Sequence, residues 1–205
     1  MGVRDPIDSI ARALSLTKAE RVALSKIVRS PEESLRNSMK LVPPHIVRGS
    51  DLGVDGFNVI ITVERALAGD PVYVCTDGIV RDLSLSYSSY KPSDLFDKAV
   101  ETIADTIRSM SPGRVTIYLD SPISKSGLIA KRIREITSEE FEVKTSNRVD
   151  SEILSHEIVA SSDSRIIEGA KAIVDLAHAA ISRAGISPKK LFTDRGMLGE
   201  YDRPT

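Results

Sequence analysis

The sequence predicts an α/β protein with a mainly parallel central sheet and helices on both faces. From Leu52 onward, short runs rich in β-branched residues alternate with amphipathic helical patterns, an order typical of βαβ units. The runs are apolar almost throughout, as strands buried on both faces are. Several of them end at an aspartate. Residues 1–48 contain helical patterns only, so we expect a small helical N-terminal appendage, followed by the α/β domain over residues 49–205.

The N-terminal region contains three helix-start signals, at Asp5–Pro6, Thr17–Glu20 and Ser30–Glu33. In each, a side-chain oxygen can accept from an unpaired amide of the first turn, and proline needs no amide hydrogen there. Pro43–Pro44 ends the helical region. Short helices of this kind could read DNA as a helix-turn-helix. Packing against the following domain is the interpretation that the residues favour.

The α/β region contains five strand-like runs, which are Leu52–Asp55, Val72–Cys75, Val115–Asp120, Phe141–Thr145 and Glu157–Ser161. Helical patterns follow at Asn58–Ala68, Ser93–Met110 and Leu128–Ile136, and right-handed crossovers would connect the strands. The secondary structure of two stretches has two alternatives each. Residues 76–90 are a hairpin arm or a loop with a helical turn. Residues 170–182 are one helix, or a strand Ala172–Asp175 followed by a helix.

Composition narrows the classes of protein. No apolar run approaches the roughly 20 residues that span a bilayer, and the N-terminus lacks the apolar core of a signal peptide. The single cysteine, Cys75, excludes an internal disulfide framework and a cysteine-rich zinc site. We therefore expect a cytoplasmic protein without a membrane partner. Residues 1–50 hold nine Lys/Arg against five Asp/Glu, and residues 51–205 nineteen against twenty-four. This asymmetry suits a phosphate-bearing partner or ordinary solvated charge equally well.

Four aspartates are candidates for a common site. Asp55, Asp120 and Asp163 each follow an apolar strand, and Asp150 begins a helix shortly after another. Because the carboxyl ends of parallel neighbours meet at one edge of a sheet, we expect these acids in one crevice. Gathered carboxylates repel one another, and Mg²⁺ or Mn²⁺ would relieve that repulsion. Such ions activate water and stabilise in-line phosphoryl displacement. Alone, each aspartate could equally be a helix cap or turn former.

The segments around these acids resemble the PIN-like nuclease superfamily, and within it the NYN branch, over roughly residues 52–180. The segments are Val54-Asp55-Gly56-Phe57-Asn58-Val59-Ile60, Tyr118-Leu119-Asp120-Ser121, Val149-Asp150-Ser151-Glu152-Ile153-Leu154 and Ile158-Val159-Ala160-Ser161-Ser162-Asp163. The chain also resembles an uncharacterised archaeal family with a helical N-terminal part and a PIN-like C-terminal part.

The resemblance implies a metal-dependent nuclease that hydrolyses phosphodiester bonds, of RNA more than of DNA. In that family pattern Asp55, Asp150 and Asp163 would hold Mg²⁺ or Mn²⁺. Asp120 would be a further ligand or orient the attacking water, and Asn58 would fix Asp55 or contact the substrate.

The chain departs from the family pattern at two segments. Ser121 stands where glycine is usual, and Val149 where alanine is usual. The helix start also has one acid instead of two adjacent ones, unless Glu152 substitutes.

Candidates for substrate binding lie in polar loops. Ser124, Lys125 and Ser126 belong to a hydroxyl-rich loop that opens a helix, where free amides and a cation could bind a phosphate. Plain capping by serine explains the loop nearly as well. Arg81 and Arg148 adjoin acids. They could contact a backbone phosphate or pair with those acids.

Five other residues could belong to a site or have only a structural role. Asp77 and Asp82 flank a glycine turn and could be additional acids of the site or part of a solvated loop. Tyr87 and Tyr90 could stack on bases, although a surface loop explains them as well. His156 has no partner at ligand spacing, so we interpret it as structural.

Two rival functions stay open. The first is a PIN-like fold whose site is too depleted to cut, serving as an RNA-binding or protein-interaction module. The second is a phosphohydrolase with an aspartate nucleophile, but its Asp-x-Asp signature is missing, since Phe57 and Pro122 stand two residues after Asp55 and Asp120. A homo-oligomer is compatible with the sequence.

Overall fold

The computed structural model describes residues 6–83, 90–123 and 125–190, without the side chains of residues 6–8 and 19. Helices α1 (Pro6–Ala13), α2 (Lys18–Ile27) and α3 (Pro31–Lys40) come first. Helices α2 and α3 open on the capping boxes predicted at Thr17 and Ser30, closed by Glu20 and Glu33. Asp5, the predicted cap of α1, lies outside the described residues. A short 3-10 helix, Pro44–Val47, leads into the first strand.

The strands follow in chain order: β1 (Asp51–Asp55), β2 (Val72–Val74), β3 (Val80–Asp82), β4 (Arg114–Asp120), β5 (Glu142–Ser146), β6 (Ile158–Ala160) and β7 (Lys189–Lys190). The remaining helices are α4 (Gly56–Leu67), α5 (Phe96–Met110), α6 (Ser126–Ile136), α7 (Val149–Ile153), α8 (Ser164–Gly169) and α9 (Leu176–Arg183).

A four-stranded parallel sheet in the order β5-β4-β1-β6 forms the centre of the protein. On one face, Val54 and Ile117 belong to a large buried core with the apolar sides of α4, α5 and α6. On the other face, Tyr118 and Val159 pack with residues of α7 and α8 in a smaller cluster. The alternation of strand side chains between faces explains this division. The predicted α/β class with a parallel sheet and helices is confirmed.

Strand β2 is present where the sequence predicts it, but it lies outside the central sheet. It pairs antiparallel with β3 and parallel with β7 in a separate small sheet. Gly78, with φ 82°, forms the turn, and Cys75 N–H donates to Ile79 O at 3.0 Å. Because a local hairpin closes over few residues, it forms at lower entropic cost than a crossover. Of the two alternatives for residues 76–90, the structure shows the hairpin over residues 76–82.

The stretch 170–182 adopts the second of its two alternatives. Residues 172–174 are extended beside β6, with Val159 N–H donating to Ala172 O and Val174 N–H to Val159 O, both at 3.0 Å. Helix α9 then starts with Asp175 as its cap. On its other side Ile173 bridges to Leu41, so the end of α3 is attached to the edge of this sheet.

The helices before β1 also contact the β2–β3 hairpin. Thr76 N–H donates to Ile27 O at 3.0 Å, and Arg29 N–H donates to Thr76 Oγ1 at 2.8 Å. Lys40 Nζ donates to the carbonyls of Ile167 and Glu168 in α8. These contacts agree with packing against the following domain. Within the described ranges, no helix combines the length and apolar character that crossing a bilayer requires.

Two glycines allow close packing around β1. A Cβ on Gly56 would lie 2.6 Å from Leu119 Cδ2 and 2.8 Å from Tyr118 O, so only glycine lets α4 start directly against β4. A Cβ on Gly53 would lie 2.7 Å from the His156 ring. Such overlaps in a packed interior would force the backbone to shift. The first glycine holds Asp55 at the sheet edge, and the second makes room for a buried histidine.

His156 is structural, as interpreted from the sequence. It is buried, its Nε2 lies 2.9 Å from Tyr118 Oη, and its Nδ1 lies 2.9 Å from Asp51 Oδ1. Arg114 donates two hydrogen bonds to Asp51, and these, with the contact to His156, lower the pKa of Asp51 to about 2. This network joins β1, β4 and the segment before β6 at the end of the sheet opposite Asp55.

Candidate active site at the carboxyl edge of the sheet

Three adjacent strands bring predicted acids to one edge of the central sheet. Asp55 ends β1 and Asp120 ends β4, while Asp163 follows β6 as the cap of α8. Asp150 lies in the first turn of α7, after β5. The negative charges of Asp120 and Asp163 act on Asp55, and those of Asp150 and Asp163 act on Asp120. The predicted aspartates therefore share one electrostatic environment.

Asp55 is the buried member of this set. Its side chain is 6% exposed, and Ser161 Oγ donates to its Oδ2 at 2.8 Å. Burial, and then the charges of Asp120 and Asp163, raise the pKa of Asp55 to about 7. The hydrogen bond from Ser161 opposes this rise because it stabilises the charged form. Asp55 is thus a carboxyl group that changes charge near neutral pH.

Asp120 and Asp150 are more accessible. Partial burial, followed by the charges of Asp150 and Asp163, raises the pKa of Asp120. Within the part of the chain that the structure describes, no side chain or amide donates a hydrogen bond to either carboxylate, and no cation pairs with it. Both carboxylates are therefore open to an external partner.

Asp163 combines capping with membership of the cluster. Its Oδ1 accepts from Arg165 N–H at 2.8 Å and from Ile166 N–H at 3.5 Å. Its own N–H donates to Ser161 Oγ at 3.0 Å. Since Ser161 also donates to Asp55, this serine connects the two acids. No role was expected for Ser161 from the sequence, although the segment Ser161-Ser162-Asp163 was a signal for one.

Asn58 fixes the turn after β6. Its Oδ1 accepts from both Ser162 N–H at 2.9 Å and Ser162 Oγ at 2.7 Å. We expected this side chain to fix Asp55 or contact substrate. The hydrogen bonds to its side-chain oxygen orient the segment that carries Asp163, and the roles expected for Asn58 at Asp55 and at the substrate stay predictions.

Arg81 and its acid lie beside the same turn. Arg81 is 3% exposed, its two terminal nitrogens donate to Asp77 at 2.7 and 2.8 Å, and its Nε donates to Ser162 O at 2.9 Å. Although burial opposes ionisation of Asp77, the hydrogen bonds and charge of Arg81 hold the pKa of Asp77 below its usual range. Of the two roles considered for Arg81, the structure shows pairing with an acid.

The other two acids of this region are also engaged. Asp77 is completely buried and additionally accepts from Asn37 Nδ2 at 2.9 Å. Asp82 is 2% exposed and accepts from Thr62 Oγ1 at 3.0 Å. Neither belongs to a solvated loop, because both side chains are buried. Their side chains attach the hairpin to α3 and α4.

The loop after β4 is only partly described. Ser124 lies outside the described residues. Lys125 is exposed and precedes α6 with φ 63°, and Ser126 Oγ donates to Ser121 O at 3.3 Å. Ser126 therefore closes the loop, whereas Lys125 is accessible to a ligand.

Two further candidates, Arg148 and Glu152, lie at the start of α7 and have different surroundings. Arg148 is exposed. Its backbone N–H donates to Ser146 Oγ at 2.9 Å, and its backbone carbonyl accepts from the N–H groups of Ser151 and Glu152, both at 3.0 Å. Ser146 Oγ in turn donates to Glu152 Oε1 at 2.7 Å. Glu152 is thus bound to the end of β5, and Asp150 is the acid of this helix that interacts with Asp120.

Asp175 is a strand-end acid of a different kind. It accepts from Val80 N–H at 2.7 Å and from His178 N–H at 2.9 Å, and burial raises its pKa. It therefore caps α9 and holds the hairpin.

Helix α2 contributes a cation near the acids. Lys26 Nζ lies 3.4 Å from Asp82 O and 4.0 Å from Asp82 Oδ1, and it also interacts electrostatically with Asp163. Burial lowers the pKa of Lys26. Because Lys26 is far from these acids in the sequence, its spacing gave no signal of this contact.

Fold and site together define an α/β protein with a cluster of aspartates at the carboxyl edge of a parallel sheet. A family model, Domain of unknown function (DUF5616), matches residues 44–179, and the chain belongs to that family. This range contains all four clustered aspartates.

The chain is also 34% identical over 180 residues to the uncharacterized protein MJ0935 of Methanocaldococcus jannaschii, covering 85% of this chain and 86% of that protein. No solved structure matches the chain. This relative is an uncharacterised archaeal protein, as expected, whereas the resemblance to PIN-like nucleases stays a prediction.

The raised pKa of Asp55 predicts a pH-dependent stability difference for the Asp55→Asn variant. The Asp55 carboxyl group ionises at a higher pH in the folded chain than in the unfolded chain. Its ionisation therefore destabilises the wild type relative to the variant by an amount that is zero below about pH 4, grows up to about pH 7 and is constant above. At pH 8 and without metal, the variant should be more stable than the wild type by about 2 kcal/mol, roughly half of what the full shift implies, since asparagine reproduces the acceptor imperfectly. Urea unfolding in EDTA at pH 5 and pH 8 measures this.

The matched control is Asp105→Asn, an exposed acid of α5. Its stability relative to the wild type should not change between the two pH values. An Asp55→Asn variant with an equally constant difference would contradict the raised pKa.

Proposed function

We propose that this protein is a metal-dependent hydrolase of phosphodiester bonds in nucleic acid, acting on RNA more than on DNA. The observation that carries the proposal is the convergence of Asp55, Asp120 and Asp163 from three adjacent parallel strands, with Asp55 buried and its ionisation opposed by its neighbours. The resemblance of the surrounding segments to PIN-like nucleases supports the same chemistry.

The donor set fits a hard divalent cation. Carboxylate oxygens are the ligands that Mg²⁺ and Mn²⁺ prefer, and Mg²⁺ usually retains several waters beside one or two carboxylates. In the described ranges, no group of three or more His, Cys, Asp or Glu side chains is already arranged to hold a metal. The proposal of a metal site therefore rests on the convergence of the acids and on the chemistry of their oxygens.

In the proposed mechanism Asp55, Asp150 and Asp163 would hold the cation, which would supply an activated water and stabilise charge on the reacting phosphate. Asp120 would be a further ligand or would accept a hydrogen bond from the attacking water. Ser161 keeps Asp55 and Asp163 in a fixed relation through its two hydrogen bonds.

Two residues support the turn that carries Asp163. Asn58 holds Ser162 through its side-chain oxygen, and Arg81 holds the Ser162 carbonyl. Since Asp163 is the next residue, these contacts set its position relative to Asp55. Preorganised groups of this kind reduce the reorganisation needed at the moment of reaction. Lys125, exposed after the end of β4, is placed to bind a substrate phosphate.

The experiment is cleavage of labelled single-stranded RNA by purified protein with Mn²⁺, with Mg²⁺ and with EDTA. We expect cleavage with either ion and none with EDTA, together with a rise in Tm on addition of Mn²⁺ because the ion binds the native state. RNA binding without cleavage, and without stabilisation by Mn²⁺, would contradict the proposal and favour a binding module. Hydrolysis of a small phosphate monoester alone would favour the aspartate-based phosphohydrolase.

A further inference from the structure

A groove of about 530 Å³ lies between the start of α5 and helix α6, outside the cluster of aspartates. Its lining combines apolar side chains with two lysines, among them Tyr90, Lys91, Phe96, Lys125, Leu128 and Ile129. The volume is within the roughly 300–1,000 Å³ range of small-ligand pockets. We call this surface the α5–α6 groove.

The α5–α6 groove adjoins the site on both sides. Tyr90 packs edge-on against Phe57, with ring centroids 5.6 Å apart, and Phe57 lies in the first turn of α4, which Asp55 caps. Lys125 belongs to the loop that leaves Asp120, in which Ile123 N–H donates to Asp120 O at 3.2 Å. The two walls are thus attached to the segments that follow two of the acids.

The wall of the groove that contains Tyr90, segment 90–93, is held in place by a buried glutamate. Glu64 is 5% exposed and accepts hydrogen bonds from Tyr90 Oη, from Ser93 Oγ at 2.6 Å and from Ser93 N–H at 3.0 Å. These bonds fix segment 90–93 against α4. The aromatic ring is therefore positioned before any ligand arrives, which lowers the entropic cost of binding.

The charges along the α5–α6 groove favour an anion. Lys91 and Lys125 are exposed, and neither has a hydrogen-bond or ion-pair partner for its ammonium group among residues 6–83, 90–123 and 125–190. The acid at the groove, Asp97, is neutralised by Arg132 through two hydrogen bonds. Leu128 is an apolar side chain with 65% exposure in the same lining. An occupant with an apolar flat part and a negative charge complements this lining.

We propose that the α5–α6 groove binds an unpaired nucleotide of a single-stranded nucleic acid beside the bond that is cleaved. The base packs against Tyr90, Phe96 and Leu128, and its phosphate is bound by Lys91 and Lys125. Stacking of a base on an aromatic ring contributes about 1–3 kcal/mol and tolerates any base. A base in a duplex is already stacked and paired, so it cannot enter the groove. This inference rests on the proposed function for the position of the cleaved bond only.

The test uses a fluorescein-labelled single strand of about ten nucleotides, within the 4–16 nucleotides of common single-strand sites. Binding is measured by anisotropy in EDTA at several salt concentrations. The double variant Lys91→Gln/Lys125→Gln should bind about tenfold more weakly at low salt. Its slope of log K against log[salt] should be shallower by about 0.7, since the contact with one phosphate is lost and each phosphate contact of a single strand contributes about 0.7. Leu128→Asn should weaken binding as well but leave the slope unchanged, because it removes apolar contact without changing the charge of the groove.

The matched control is Lys98→Gln/Lys131→Gln, which removes two exposed lysines from α5 and α6 outside the groove. It should bind like the wild type, and a duplex of the same sequence should bind less tightly than the single strand. Equal binding by the groove and control variants, equal binding of duplex and single strand, or no binding by the wild type would each overturn the groove proposal.

The two proposals fail separately, because binding is measured without metal and cleavage with it. Groove-dependent binding without Mn²⁺-dependent cleavage would support the nucleotide-binding groove and contradict the proposed hydrolase activity. Mn²⁺-dependent cleavage, together with single-strand binding that the groove variants do not change, would support the hydrolase activity and contradict the nucleotide-binding groove.

Discussion

The Asp55→Asn and Asp163→Asn variants are each expected to lose Mn²⁺-dependent RNA cleavage by roughly 100-fold or more, because a divalent ion contributes several kcal/mol to the stabilisation of transition-state charge. Each change removes a charged oxygen from the cluster, while asparagine keeps an acceptor for Ser161 or for the α8 amides. Initial rates of cleavage of a labelled single strand provide the measurement.

Stability measurements separate this loss from unfolding. Asp55→Asn should be more stable than the wild type in EDTA at alkaline pH, so its inactivity cannot then result from a loss of fold. Asp105→Asn, whose carboxylate pairs with Arg108 on α5, should keep full activity. Cleavage by both cluster variants at the wild-type rate would show that the activity comes from a contaminant or from another site.

Breaking the Arg81–Asp77 pair should destabilise the protein more than any surface change. Arg81→Met leaves Asp77 completely buried, and the donors that remain to it among the described residues are Asn37 Nδ2 at 2.9 Å and Ile79 N–H at 3.3 Å. Removing one partner of a buried ion pair typically costs 3–5 kcal/mol, and we expect about that loss in the free energy of unfolding. Urea denaturation at pH 7 followed by circular dichroism measures it. Adding Asp77→Asn to Arg81→Met should recover part of the loss, because it removes the unpaired charge.

The chain supplies a matched control for this prediction. Arg114 also makes two hydrogen bonds to an aspartate, Asp51, but its side chain is 64% exposed. Because solvent screens such a pair, Arg114→Met should cost less than about 1 kcal/mol. Equal losses for Arg81→Met and Arg114→Met would contradict the importance of burial at Asp77.

The sequence predicted the central strands closely. Strands β1, β4, β5 and β6 begin and end within one residue of the predicted runs, because buried parallel strands are short apolar runs between helical patterns. Strand β2 was predicted at the right place in the sequence, but it was expected in the mainly parallel central sheet and lies in a separate small sheet. Its partner is chosen by the Gly78 turn and by long-range pairing with β7, and neither is visible in local periodicity.

The candidate site was predicted in part. The four aspartates were recognised because each follows or adjoins the end of a strand, and their mutual charge interactions agree with a shared crevice. The role of Asn58 was predicted less well, since its partner Ser162 lies 104 residues further along the chain. Arg81, a candidate for substrate binding, lies in a buried pair whose surroundings depend on α3 and on the turn after β6.

By itself, the sequence determined the α/β class, the positions of the central strands and the identity of the strand-end acids. These follow from local patterns, since strand period, helix caps and glycine turns are encoded by neighbouring residues. Only the tertiary structure decided that Asp55 is buried while Asp150 is exposed, that Arg81 is committed to Asp77, and that Lys26 approaches the acids. Burial and charge partners arise from contacts between distant segments. The pKa and availability of each side chain are therefore properties of the folded chain.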